Sequence, residues 1–130
     1  LFDFRHVKVL KSHNIMDEFD IAFIEGAIAS EEQAEKVKHI RSISKKVVAI
    51  GACACTGLPS GQRNNFTPEQ KEATEWLVGR FKGLPQVLKL EDVITVDAKV
   101  PGCPMDPKKF LEAVNALVAE MRPELMKTPA

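Results

Sequence analysis

Apolar and polar residues fall into short blocks along this chain, and the period of the blocks switches between two and about three and a half. Phe4 to Leu10 alternate with the period of a strand, and Asp20 to Ile24 form a compact apolar run that stops at Glu25 and Gly26, with Ser12, His13 and Asn14 as a turn between them. Ser30 followed by Gln33 is a capping box, and Ala34, Val37, Ile40 and Ile43 repeat at helical spacing, which predicts a helix over 31–44. Val47 to Ile50 reads as a fully buried strand ending at Gly51. The stretch 56–66, with Gly57, Pro59, Gly61, Asn64 and Asn65, is the longest irregular segment and a functional loop by its length. Thr67, Pro68 and Gln70 open a second helix whose apolar face is Ala73, Trp76, Leu77 and Phe81 and which Gly83 closes. Leu88 to Leu90 is a short apolar segment, and Val93 to Val96 is a short strand. Asp106 and Pro107 start a last helix, with Phe110, Leu111, Val114, Leu117, Val118 and Met121 turned inward and Pro123 as its stop.

Strands alternating with helices imply an α/β fold: a parallel sheet with helices on both faces. The chain has 130 residues, of which 45% are hydrophobic, and no internal repeat or linker, so 1–126 read as one domain and 127–130 as a loose tail. Eighteen basic residues balance eighteen acidic ones, which argues against nucleic acid or an acidic membrane as partner. No apolar run reaches the roughly 18 residues of a membrane span, and no basic-then-apolar leader is visible, so a soluble protein is expected. Three cysteines, an odd number, do not suit a disulfide framework and suit a reducing compartment such as the cytoplasm, or a metal site. The chain opens on Leu1 rather than Met, from which a start that lies elsewhere or has been removed is expected.

The candidate chemistry lies at strand ends. Ligands of an open parallel sheet sit beyond the carboxyl ends of its strands, and three such ends carry unusual residues: Glu25 with Gly26, Gly51 to Cys55, and Pro101 to Pro104. Cys103 stands between two prolines on a stiff loop, and Cys53 follows Gly51 and Ala52 directly after a strand. If all strands point one way, the two thiols meet at one rim and share a metal or iron–sulfur ligand; the other reading is that both are apolar packing residues. The small residues Gly51, Ala52, Ala54 and Gly102 let backbone amides approach a bound cluster. Cys55 is either the second arm of a Cys-x-Cys chelate or a packing thiol. Glu25 either relays protons or bonds a loop amide. His6, His13 and His39 are scattered, Trp76 has core spacing, and Arg63, Asn64 and Asn65 suit a partner contact or a solvated loop equally well.

These residues resemble the small subunit of cytoplasmic nickel–iron hydrogenases and the related 20-kilodalton subunit of respiratory complex I. The resemblance rests on the run Ile24 to Ile28, on Gly51-Ala52-Cys53-Ala54 with Gly57 after it, and on Val100 to Pro104 with Pro107. It implies a flavodoxin-like domain holding a proximal 4Fe-4S cluster that carries electrons away from hydrogen oxidation, with Cys53 and Cys103 as the third and fourth ligands and no family ligand at Cys55. The hydrogen-splitting metal belongs to the large subunit, so the resemblance implies no catalytic residue here, and it implies a large-subunit partner and downstream electron-acceptor subunits. The family's first strand and its Cys-x-x-Cys loop, source of the other two ligands, are expected upstream of Leu1 and are missing from this sequence. Two other readings stand beside this one: a quinone-reducing subunit of the complex I kind, and a cluster-free scaffold or binding domain with the same fold.

Overall fold

The computed structural model describes residues 2–7 and 12–124. In chain order its regular elements are β1 (Phe19–Glu25), β2 (Ile28–Ser30), α1 (Glu31–Ser42), β3 (Ser44–Ile50), α2 (Gly51–Thr56), α3 (Pro68–Arg80), β4 (Gly83–Leu88), β5 (Ala98–Val100) and α4 (Pro107–Met121), with single 3-10 turns at Gln62–Asn65 and Leu90–Asp92. β1, β3 and β5 form a parallel sheet in the order β1-β3-β5, and β2 and β4 pair antiparallel as a separate two-stranded sheet.

β3 runs through the middle of the parallel sheet, and its composition explains why. Val47, Val48 and Ala49 are at most 1% exposed, as a strand covered on both faces requires. Burying each valine contributes about 1.5–3 kcal/mol. Side chains alternate across the pleat, so Val48 joins Val100 and Leu117 under α4, while Val47 and Ala49 join Val37, Ala54, Cys55, Leu90 and Ile94 on the side of α1 and α2. The α/β architecture with helices on both faces of a parallel sheet is thus present.

The predicted caps are formed. Ser30 Oγ accepts from the Gln33 amide at 3.3 Å, while the Gln33 side chain accepts from the Ala29 amide at 2.8 Å. At α3 the box is reciprocal, Gln70 N–H to Thr67 Oγ1 at 3.3 Å and Thr67 N–H to Gln70 Oε1 at 2.9 Å. Asp106 accepts from the Lys108 amide at 2.8 Å with Pro107 at the first helical position.

Several expectations are corrected. Phe4–Val7 form no strand, while residues 8–10 and the tail 127–130 lie outside the described residues. Val93–Val96 are not the last strand of the sheet; β5 is Ala98–Val100, and Ile94 instead anchors the preceding turn in the core. Gly51–Cys55 is not a loop but most of α2. Gly83 starts β4, and the turn out of α3 is made by Phe81 and by Lys82, which has φ 51°. The apolar face of α3 points outward, with Trp76 62% and Phe81 69% exposed, and Leu111 of α4 is exposed as well. A 3.6-residue stripe locates an apolar face but does not say whether a neighbour covers it.

One polar group fastens the sheet at its amino end. The Asp97 carboxylate accepts from the Val47 amide at 2.8 Å and from Arg41 at 2.9 Å, with Lys46 at 3.7 Å, and the Asp97 amide donates to the Val47 carbonyl at 2.9 Å. Burial pushes this carboxyl up, but the Val47 amide and the charges of Arg41 and Lys46 together outweigh it and hold it below the ordinary carboxylate range. A folded pKa below an unfolded value of about 3.9 means that the stabilisation is complete above that pH and is lost as pH falls through the folded pKa. Asp97→Ala is expected to cost about 1–3 kcal/mol at pH 7, and the gap to the parent should narrow in acid. Urea midpoints at pH 7 and pH 3 measure this, and a gap that widens in acid contradicts the assignment.

Candidate functional site

Parallel pairing puts three strand ends in one row, because Glu25 pairs with Ile50 and Ile50 pairs with Val100. The chain leaves this row through Gly26, Gly51 and Pro101-Gly102, so the loops predicted to converge are neighbours. The Ala52 amide, in the first turn of α2, donates to the Gly102 carbonyl at 3.0 Å. A Cβ built on Gly51 would lie 3.8 Å from Glu25 Cγ and 3.9 Å from the Gly102 oxygen. Gly51, Ala52, Gly102 and Glu25 therefore share one rim, and Cys53 and Cys103 are each the next residue after a member of that hydrogen bond.

The rim needs glycine at 102. Its φ is +117°, and a Cβ there would come 2.9 Å from the Pro104 carbonyl oxygen. Gly102 and Met105 form an antiparallel bridge that closes a four-residue turn, with a cis Cys103–Pro104 peptide. Cys103 stands exposed on this turn.

The three thiols differ in environment. Cys53 is half-buried on α2, and the Ser60 hydroxyl donates to its sulfur at 3.0 Å. Cys55 lies two residues further along the same helix, about 200° around it at 3.6 residues per turn, and so faces the core. It is 7% exposed, its thiol donates to the Ala49 carbonyl at 3.4 Å, and burial pushes its pKa up. Of the two readings of Cys55, the structure supports the packing thiol. Cys103 has no hydrogen-bonding partner among the described residues.

Ser60 was not among the candidates from sequence. The only signal was its place in the long loop between Gly57 and Gly61. Arg63 and Asn64, open to a partner role in the sequence, are used within the fold. Arg63 donates to the carbonyls of Pro85 at 3.0 Å and Leu84 at 2.6 Å, and Asn64 exchanges two hydrogen bonds with the Val87 backbone, at 2.7 and 2.8 Å. Beside that loop is an open cleft of about 290 Å³ bordered by Thr56, Leu58, Asn64 and Lys89; neither Cys53 nor Cys103 lines it. Among the described residues no group of three or more His, Cys, Asp or Glu is placed to hold a metal ion, and none of the histidines joins Cys53 or Cys103 in such a group. No helix among the described residues is long and apolar enough to cross a membrane.

The chain is thus an α/β domain in which the segments bearing Cys53 and Cys103 leave the carboxyl rim of a parallel sheet, the edge where open sheets of this class bind their ligands. The chain belongs to the family of the 20-kilodalton subunit of NADH ubiquinone oxidoreductase, whose model matches residues 1–117. It is 31% identical over 147 residues to a subunit of the F420-non-reducing hydrogenase of Methanothermobacter thermautotrophicus, covering 98% of this chain and 46% of that one. It is 33% identical over 113 residues to the gamma subunit of the coenzyme F420 hydrogenase of Methanosarcina barkeri, covering 83% of this chain and 35% of the relative. A solved NAD+-reducing NiFe hydrogenase in the H2-reduced state superposes with a TM-score of 0.69 at 26% identity, over 86% of this chain and 71% of that one. The chain spans about half the length, or less, of these curated relatives.

Two measurements check the rim. Gly102→Ala is expected to cost about 1–3 kcal/mol from its left-handed backbone alone, read as a lowered urea midpoint; an unchanged midpoint would mean that the turn is not formed. A short alkylation pulse on the native chain should label Cys103 first and Cys55 last, with the difference lost in denaturant. Early labelling of Cys55 would contradict its burial.

Proposed function

We propose that this chain is the electron-transferring domain of a hydrogenase small subunit, and that Cys53 and Cys103 supply two thiolates to a 4Fe-4S cluster at the rim. The observation that carries the proposal is the Ala52 to Gly102 hydrogen bond, which ties the first turn of α2, bearing Cys53, to the turn that bears Cys103. The names of three relatives support the hydrogenase assignment, being subunits of F420-non-reducing, coenzyme F420 and NAD-reducing hydrogenases.

The donor chemistry of the rim suits half of such a cluster. Iron–sulfur clusters take cysteine thiolates and close backbone, and here Cys53 sits half-buried among alanines in the first turn of α2 and Cys103 stands exposed beside Gly102 on a tight turn. The remaining ligands are proposed to be two cysteines on polypeptide not contained in this sequence. When bound, the cluster would accept and pass on one electron at a time.

The chain's own residues have distinct parts in this reading. Gly51 and Gly102, at φ +82° and +117°, turn the backbone where side chains would block a close approach. The Ala52 amide is committed to Gly102, so its contribution is a small side chain and a fixed position for the next residue, Cys53. Glu25 closes the row beside Gly51, as a partner for loop amides or a proton acceptor at the edge of the site. No catalytic residue is assigned to this chain: the hydrogen-splitting metal is proposed to lie in a large-subunit partner docked near the rim, with the whole assembly in the cytoplasm.

The electron acceptor is proposed to be set by other subunits. Relatives of this one domain carry names as different as F420-non-reducing, coenzyme F420 and NAD-reducing hydrogenase. The description of the family model favours a second reading, a quinone-reducing subunit of the complex I kind. The hydrogenase names of the relatives weigh against it.

In the complex containing this chain, purified without oxygen, Cys53→Ser and Cys103→Ser should each lose most of the bound iron and sulfide together with the broad absorption near 400 nm. Cys55→Ser should keep both. Retention of the cluster in the first two variants would leave the ligand assignment wrong, and a wild-type complex without iron would point to the cluster-free scaffold.

A further inference from the structure

The loop after α2 folds back over the helix it leaves. The Gly57 amide donates to the Cys53 carbonyl at 2.8 Å, Gly61 N–H to Gly57 O at 2.6 Å, Gln62 N–H to Pro59 O at 3.2 Å and Asn64 N–H to Gly61 O at 3.0 Å. A Cβ on Gly61 would lie 2.6 Å from the Gly57 oxygen, so the return is as tight as glycine permits. The far end of the loop is fastened by the two hydrogen bonds between Asn64 and Val87. Ser60 is on the surface, but its backbone is held at both ends, and its hydroxyl meets the Cys53 sulfur at 3.0 Å.

The second thiol of the rim has no such donor. Cys103 is exposed and unpartnered among the described residues, so the two sulfurs are chemically inequivalent. A hydrogen bond into a ligating sulfur draws off electron density and stabilises the state with more negative charge, which is the reduced one.

We propose that Ser60 is a positioning residue for the cluster assigned above: its hydroxyl holds the Cys53 sulfur and raises the reduction potential of the group bound there. This rests on the electron-transfer reading. The hydroxyl proton stays on Ser60 throughout, and the residue does not take part in any transfer.

The test is a redox titration of the visible absorption in the anaerobic complex, with iron and sulfide assayed in the same samples. Ser60→Ala should keep its full iron and sulfide and, at a fixed potential, raise the oxidised-to-reduced ratio about three- to tenfold, tenfold being about 59 mV for a one-electron couple. Ser60→Thr, which keeps the hydroxyl, should titrate as the parent does. A Ser60→Ala complex with full iron and an unchanged ratio overturns the proposal, as does a threonine variant shifted as far as the alanine one. Loss of iron in Ser60→Ala also overturns it, because the hydroxyl would then be needed for holding the cluster and not for setting its potential. A parent complex with no iron removes the electron-transfer reading itself, and the proposal with it; the iron assay of the parent separates that failure from the others.

Discussion

β3 is parallel-paired on both sides, and its pairing brings the carboxyl ends of three strands into one row. Because Glu25, Ile50 and Val100 are in register, the chain has to leave the sheet three times within a small area. Residues far apart in sequence then become neighbours without any contact made for that purpose. The register is held by the buried valines of β3 and, at the other end of the sheet, by Asp97 reaching the Val47 amide. A slip of one residue would turn Val47 and Val48 to the wrong faces and pull the loops apart.

What the rim offers is asymmetric. One thiol is half-buried on a helix and receives a hydroxyl; the other is exposed on a tight turn. The third cysteine shares a helix with the first but belongs to the core. Proximity in sequence is therefore a poor guide here: Cys55, two residues from Cys53 on the same helix, is buried against the Ala49 carbonyl, whereas Cys53 is half-buried and meets the loop hydroxyl.

Much of this could be read from the chain because the signals are local. Capping boxes at Ser30 and Thr67, proline at the start of two helices and the run Val47 to Ile50 each specify an element through a few residues. The convergence of the strand ends was legible because strand direction alone brings them together. The failures lie where partners decide. Val93 to Val96 has the composition of a strand, yet Ile94 is drawn into the core and the sheet takes Ala98–Val100 instead. β4 contains Pro85, which weakens any strand signal, and its pairing with β2 depends on a segment more than fifty residues upstream. Trp76 on α3 and Phe81 at its end have core spacing on a side that no other element covers among the described residues. Ser60 has no pattern at all; its position comes from how the loop closes.

The clamp between Asn64 and Val87 has a consequence for what the long loop tolerates. The side chain presents an oxygen to an amide and a nitrogen to a carbonyl, imitating one rung of a sheet where no strand is present. Aspartate has nearly the same outline, but at that rung it would set oxygen against oxygen. A single hydrolysed amide, without any change of bulk, would thus keep the half of this rung that accepts from the Val87 amide and turn the other half from attraction to repulsion.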